Sequence, residues 1–310
     1  MDWDWTLSLA GLLVGLVVGM TGMGGGALMT PLLVLFFHVP PLTAVSNDLV
    51  VSALMKPVGG FVHLRRGTVH LGLVKYLSLG SVPMAFLGVV LLQAIGSDSA
   101  VQTVVRLALG VALVLAAIGI VARAYIGWAR RKDPSRNAGP EPAEVRVRRV
   151  PTLLIGALAG LIVGITSVGS GSLVVVALLF LYPLLRTNRL VGTDIVQAVP
   201  LVAAAALGHL LFGDFHLDIT APLVAGALPG VYVGAHLSAT VPDGVVRRAL
   251  VVVLTASGLK LLGLPTVTLG WTVLGLVVVG AVGWAVMRRR PESSALTRTE
   301  LAESRPGNSP

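Results

Sequence analysis

Thr21-Gly22-Met23-Gly24-Gly25-Gly26 interrupts an apolar run from residue 5 to 38, and Thr166-Ser167-Val168-Gly169-Ser170-Gly171 interrupts a second run from 151 to 185. A helix crosses a bilayer in ~20 apolar residues, so each run is too long for one crossing. Glycine lets the backbone leave helical geometry without steric conflict, and a break at each cluster is expected. The pieces on either side are short: Ala27 to His38 gives only about 18 Å at 1.5 Å per residue. Each run therefore reads as a pair of short helices, re-entrant or crossing at a tilt, that returns the chain to its starting side.

Around these two pairs the chain is apolar almost throughout. Apolar stretches long enough to cross occupy 44–64, 71–95, 104–123, 190–212, 219–238, 248–264 and 268–287. Of the 310 residues, 55% are hydrophobic and 12% charged, and the mean hydropathy is +0.88. Soluble domains average about 25% charged residues; a chain with half that supply fits a lipid-facing protein, which needs no charged coat. The 37 glycines suit closely packed membrane helices. The absence of cysteine excludes disulfides, thiol catalysis and Cys-type metal sites.

The net charge of +9 points to sidedness rather than to nucleic acid, because the basic residues sit between spans. Arg123, Arg130, Arg131, Lys132, Arg136, Arg146, Arg148 and Arg149 share one side with Arg65, Arg66, Arg186, Arg189, Arg247, Arg248, Arg288 to Arg290, Arg298 and Arg305. These are 19 of the 23 basic residues. The other side holds Asp2, Asp4, Asp98, Asp214 and Asp218. The positive-inside rule makes the first side cytoplasmic, with the amino terminus outside and the carboxyl terminus inside a plasma membrane. Met1-Asp2-Trp3-Asp4-Trp5 lacks the basic start of a cleavable signal peptide. The chain divides into a first transmembrane repeat (1–123), a basic cytoplasmic linker (124–150), a second, inverted repeat (151–264), an extra C-terminal span (265–287) and a disordered tail (288–310).

The two repeats are related by a shift of 145, then 146, residues. Gly11, Gly15, Gly19, Thr21, Gly24 and Gly26 recur as Gly156, Gly160, Gly164, Thr166, Gly169 and Gly171; Asp48 recurs as Asp194, and His63, Gly67 and His70 as His209, Gly213 and His216. The loop after His63 carries Arg65 and Arg66, whereas the loop after His209 carries Asp214. Opposite charge in equivalent loops signals inverted copies. The expected fold is thus an all-α polytopic membrane protein of about 7–9 full spans. Each inverted repeat holds a Gly-interrupted short-helix pair and three spanning helices, and one further span follows. Transporters of this plan bind substrate near the midplane, at the helix breaks.

A broken helix frees backbone N–H groups, and the helix that follows presents its positive end. Gly24, Gly25, Gly26, Gly169 and Gly171, with hydroxyls from Thr21, Thr166 and Ser170, are therefore candidates to hold an anion. The spacing of Asp48, Ser52, Lys56 and Gly60 lines one slowly rotating face of a helix. Lys56 lies inside the span, where an ammonium needs a carboxylate, carbonyls or a substrate anion; its repeat counterpart is Val202. Asp48 and Asp194 either cap their helices or serve gating or proton coupling, with Gln197 one turn from Asp194. His63, His70, His209 and His216 fit helix-end hydrogen bonding, proton handling or a metal; one four-histidine site would have to draw on loops from both sides of the membrane. No HExxH, GxSxG or Walker A motif is present, so no enzyme is expected, and nothing in the sequence asks for a cofactor.

At Gly19-Met20-Thr21-Gly22-Met23-Gly24-Gly25-Gly26, followed by Pro31, the chain resembles the sulfite exporter TauE/SafE family. Gly164-Ile165-Thr166-Ser167-Val168-Gly169, Leu190-Val191-Gly192-Thr193-Asp194, Gly80-Ser81-Val82-Pro83 and Ala227-Leu228-Pro229-Gly230 extend the resemblance over nearly all of 5–264. It implies a plasma-membrane permease, often an exporter, for sulfite, sulfonates such as sulfoacetate, or other small organic acids. Asn47 stands where the second half has Thr193, a departure within the first-half polar cluster. The function expected is a secondary transporter of a small anion by alternating access, with the lipid bilayer as its other partner. The rival readings are a divalent-cation transporter using the paired histidines and an anion channel.

Overall fold

In the computed structural model, residues 3–21, 26–95, 98–132, 146–237 and 243–275 are described, and among them all regular structure is helical. The helices are α1 (Trp5–Thr21), α2 (Gly26–Leu35), α3 (Pro41–Arg65), α4 (Leu71–Ala94), α5 (Asp98–Lys132), α6 (Arg149–Thr166), α7 (Ser172–Leu181), α8 (Thr187–Phe212), α9 (Leu217–Leu237) and α10 (Asp243–Leu261). Residues up to Pro265 form one compact unit. A separate unit begins at Thr266 and holds α11 (Thr266–Gly275); the rest of 268–287 and the tail lie outside the described residues, as does 133–145 of the basic linker.

Five helices, α4, α5, α6, α8 and α9, are long and apolar enough to cross a bilayer. Two of the expected spans are more polar. Helix α3 has the length, at 25 residues, but buries Ser46, Asn47, Asp48 and Ser52, and α10 carries Arg247, Arg248 and Lys260. The interrupted pairs are unequal rather than uniformly short. Helix α6 has 18 residues, a full crossing, whereas α2 and α7 have ten each, about 15 Å of rise. Helix α5 runs on to Lys132, into the stretch read as linker.

Local chemistry starts and stops these helices. The Asp4 carboxylate accepts from the N–H groups of Thr6 (2.8 Å) and Leu7 (3.2 Å) and from the Thr6 hydroxyl (2.5 Å), filling the open first turn of α1. The Thr6 hydroxyl bond, with those backbone bonds, holds this carboxyl below its usual range. Helix α3 begins with Pro41 at its first position, where a missing N–H is harmless. The His70 ring accepts from the Leu73 N–H at 3.2 Å and caps α4. After α6 the backbone passes through three left-handed residues, Ser167 (φ 58°), Gly169 (φ 132°) and Gly171 (φ 109°), before α7 begins. That path explains the glycines of the second break.

Glycine stripes decide which helices meet. Helix α1 packs along α9, and α4 along α6. A methyl group at Gly11, Gly15 or Gly19 would strike the carbonyl oxygens of Leu223, Ala227 and Val231. At Gly156, Gly160 or Gly164 it would strike those of Leu77, Ser81 and Ala85. Gly226, Gly230 and Gly234 return the contact to Ser8, Leu12 and Leu16. Every contact in the first set maps onto the second by the same shift of 145 or 146 found in the sequence. Each crossing joins the opening helix of one half to the fourth helix of the other, at the backbone distances that small-residue interfaces allow. Between them, α3, α4, α6 and α8 bury Val45, Leu49, Ala85, Val163, Leu201 and Ala205. The outer faces leave Leu9, Leu13, Ile118 and Leu158 exposed, as lipid-facing residues should be.

Candidate functional site

The start of α2 meets the second helix break. Gly26, the first residue of α2, lies so close to Ser167 that a methyl group there would sit 2.7 Å from the Ser167 hydroxyl. Three residues further along the second break, the Ser170 hydroxyl accepts from the Lys56 ammonium at 2.6 Å. The lysine comes from α3 and the serine from the other half of the chain, 114 residues away.

Lys56 feels the charge of two buried carboxylates, Asp194 and Asp48. Their surroundings differ. Asp48 accepts from the Thr30 hydroxyl of α2 at 2.5 Å and from Ser52 at 3.3 Å. Asp194 accepts from Gln197 at 3.0 Å and from the Gly171 N–H in the break, and Gln197 in turn accepts from Ser81 of α4 at 3.4 Å. The reading of these aspartates as helix caps does not survive: α3 starts at Pro41 and α8 at Thr187, seven residues before each.

A cavity of about 1510 Å³, its open mouth included, leads to this point. Its walls include Lys56, Ser170, Gly171 and Asp194, with Thr21, His63, Asn188, Arg66, Arg123 and Arg247. Asp48 is not among its lining residues. Four cationic side chains against one carboxylate make the cavity positive, and low-dielectric walls focus such a field. Arg66, Arg123 and Arg247 were missed as site residues because sequence reading absorbed them into the sidedness count. The clue was their position at span ends beside the two breaks.

The remaining candidates fall outside this grouping or at its edge. Gly24 and Gly25 lie outside the described residues. Thr166 donates to the Ile162 carbonyl at 2.6 Å and accepts from the Val168 N–H at 3.2 Å, so its hydroxyl shapes the break. Gly169 lines a smaller apolar pocket beside Ala27, Leu28 and Leu254. The His63 ring bonds the Thr68 hydroxyl at 2.9 Å. His209 is fully buried, with one ring nitrogen on Ser46 (2.8 Å) and the other on the Gly164 carbonyl (2.8 Å). His216 lies near Asp214 at 3.0 Å. His209 and His216 are linked through Ser46, which accepts from the Asp214 N–H, whereas His63 bonds Thr68 and His70 caps α4. Among the described residues no group of three or more His, Asp or Glu side chains could hold a metal ion.

Comparison with known proteins adds an independent line. The family profile described as Sulfite exporter TauE/SafE matches residues 7–261. Probable membrane transporter protein YjnA of Bacillus subtilis (strain 168) is 38% identical over 258 residues, 83% of this chain and 99% of the relative. Probable membrane transporter protein YdhB of the same organism is 26% identical over 254 residues, 81% of this chain and 96% of the relative. No solved structure matches.

Proposed function

The chain belongs to the sulfite exporter TauE/SafE family, a multi-pass membrane transporter family, and from that premise we propose that it moves a small anion such as sulfite, a sulfonate or another small organic acid across the membrane by alternating access. The observation that carries this reading is the Lys56 ammonium on the Ser170 hydroxyl, 2.6 Å apart, in the wall of a cavity that Arg66, Arg123 and Arg247 also line. An ammonium and a hydroxyl are donors of the kind an oxyanion needs.

Alternation is supported by the swapped packing of α1 on α9 and α4 on α6, whose contacts repeat at one shift. Two inverted copies related in this way can rock against each other and reverse the side to which a central site opens. The arginine side of the cavity is the side to which the positive-inside rule assigns the cytoplasm. On this reading the cavity faces inward, the amino terminus is outside and the carboxyl terminus is cytoplasmic.

The test is exchange in proteoliposomes. Radiolabelled sulfite and sulfoacetate are offered to vesicles preloaded with the same unlabelled anion. Uptake accelerated by preloading, and lost in Lys56→Met, is the expected result. Protein-dependent uptake that preloading leaves unchanged, with unitary currents in planar bilayers, would replace a carrier with a channel.

A further inference from the structure

We propose that Asp194 takes up one proton for each monoanion that binds beside Lys56 and Ser170, so that anion and proton cross together and transport is electroneutral. The inference rests on the anion reading above and adds the coupling ion and the residue that carries it.

The argument starts from charge. Lys56 feels the charge of Asp48 and Asp194, and fully ionised these three sum to −1 before the arginines of the cavity wall, Arg66, Arg123 and Arg247, are counted. A bound monoanion brings the group to −2. Like charges held in a medium of low polarizability repel strongly, and one of the carboxylates is then driven to its neutral form. The Lys56 ammonium bonds Ser170, where the anion would lie, and its charge also reaches Asp194; one ammonium cannot fully neutralise both.

Geometry selects the carboxylate. Asp48 is held by Thr30 and Ser52 and does not line the cavity. Asp194 lines it beside Ser170 and Gly171, on the open cavity from which a proton would come. Protonation at Asp194 leaves a carboxylic acid, a bound anion and an ammonium in the inner cavity. The balance is one proton from the aqueous side, one anion from the same side, and no bond made or broken beyond the O–H of the acid.

The groups that face Asp194 are few. Helix α3 presents Lys56, with His63 and Arg66 further along the same cavity. Helix α5 presents Arg123, whose charge reaches Asp194, and α10 presents Arg247 at the cavity wall. Helix α4 reaches it only as Ser81, through Gln197. The one charged residue of α6, Arg149, lies over the Tyr76 ring at 5.9 Å, and α7 has none. If Arg123 followed the anion into the closed site, it would supply the missing positive charge and no proton would be needed. The experiment separates these two cases.

Wild-type protein and Asp194→Asn are reconstituted in proteoliposomes and supplied with radiolabelled methanesulfonate, which stays a monoanion across the working pH range. A pH gradient, acid outside, and a potassium diffusion potential are imposed separately. Wild-type accumulation is expected to approach about tenfold per pH unit and to ignore the potential. Asp194→Asn is expected to move the anion alone: whatever flux remains loses its response to pH and gains one to potential, up to about tenfold per ~60 mV. Wild-type accumulation that follows the potential and ignores the pH gradient would overturn the proposal without touching anion transport. Absence of protein-dependent exchange with methanesulfonate, sulfite and sulfoacetate alike would sink the anion reading, and this inference with it.

Discussion

Asn47 accepts a hydrogen bond from the backbone N–H of His216 at 3.1 Å, and its repeat counterpart Thr193 accepts the equivalent bond from the N–H of His70 at 2.9 Å. An amide oxygen and a hydroxyl oxygen thus do one job at two ends of the molecule. The departure from repeat symmetry at Asn47 changes the residue and keeps the bond. Asn47 also accepts from the Thr220 hydroxyl at 2.6 Å, which Thr193 does not match in kind.

That equivalence makes a stability prediction. Asn47→Leu removes a buried acceptor and leaves the His216 N–H and the Thr220 hydroxyl unpaired, at about 1–3 kcal/mol each. The melting temperature in detergent is expected to fall clearly, while Asn47→Thr keeps an oxygen in place and loses less. Equal losses in the two variants would show that the bond is incidental.

Lys56→Met removes the inner cationic charge without opening a large void. Anion flux is expected to fall at least tenfold, and the melting temperature to fall as well, because the buried Asp48 and Asp194 lose their counter-charge. Ser170→Ala deletes one bond to a charged group, about 1.5–3 kcal/mol. It is expected to raise KM about tenfold or more.

Arg123 and Arg247 act at longer range. Fixed charges at the mouth of a low-dielectric cleft raise the arrival rate of an oppositely charged ligand in a salt-dependent way. Arg123→Gln is expected to weaken apparent affinity several-fold at low ionic strength and to flatten its dependence on salt. A variant as salt-sensitive as wild type would remove Arg123 from the path of the anion.

The glycine crossings give a sharper contrast. Gly15→Ala drives a methyl group into the Ala227 carbonyl, and Gly160→Ala does the same at Ser81; neither neighbour is a flexible side chain that can swing away. Both variants are expected to reduce the yield of folded protein. Gly127→Ala meets nothing within 4 Å and is expected to gain up to about 1 kcal/mol from helix propensity.

His209 tests the metal reading. His209→Phe abandons bonds to Ser46 and to the Gly164 carbonyl and is expected to destabilise the protein by about 2–4 kcal/mol. Chelators are expected to leave flux unchanged. Chelator-sensitive flux would return the histidines to a cation site.

How much of this was readable from the chain depends on distance in sequence. The breaks at 22–25 and 167–171 were visible because glycine clusters interrupt an apolar run, a local signal. The polar face of α3 was visible for the same reason, since Asp48, Ser52 and Lys56 repeat every fourth residue. Pairings were not visible. Nothing near Thr30 announces Asp48 as its partner, and nothing near Gly11 announces Leu223. Such contacts depend on which helices cross, and crossing is decided by the fit of two surfaces rather than by periodicity in either. Arg123 was read for its sign and not for its place, because a charge at a span end satisfies the sidedness rule whether or not it turns into a cavity.

The stripe of Gly11, Gly15 and Gly19 also bears on how the chain is made. Its partner surface around Leu223 is synthesised 212 residues after Gly11, some 10–40 s later at about 5–20 residues per second. During that interval α1 is in the membrane with its closest-packing face against lipid or a provisional neighbour. Helix α1 is therefore docked only after α9 follows it. A nascent chain halted before α9 is expected to leave α1 open to cross-linking and to membrane proteases.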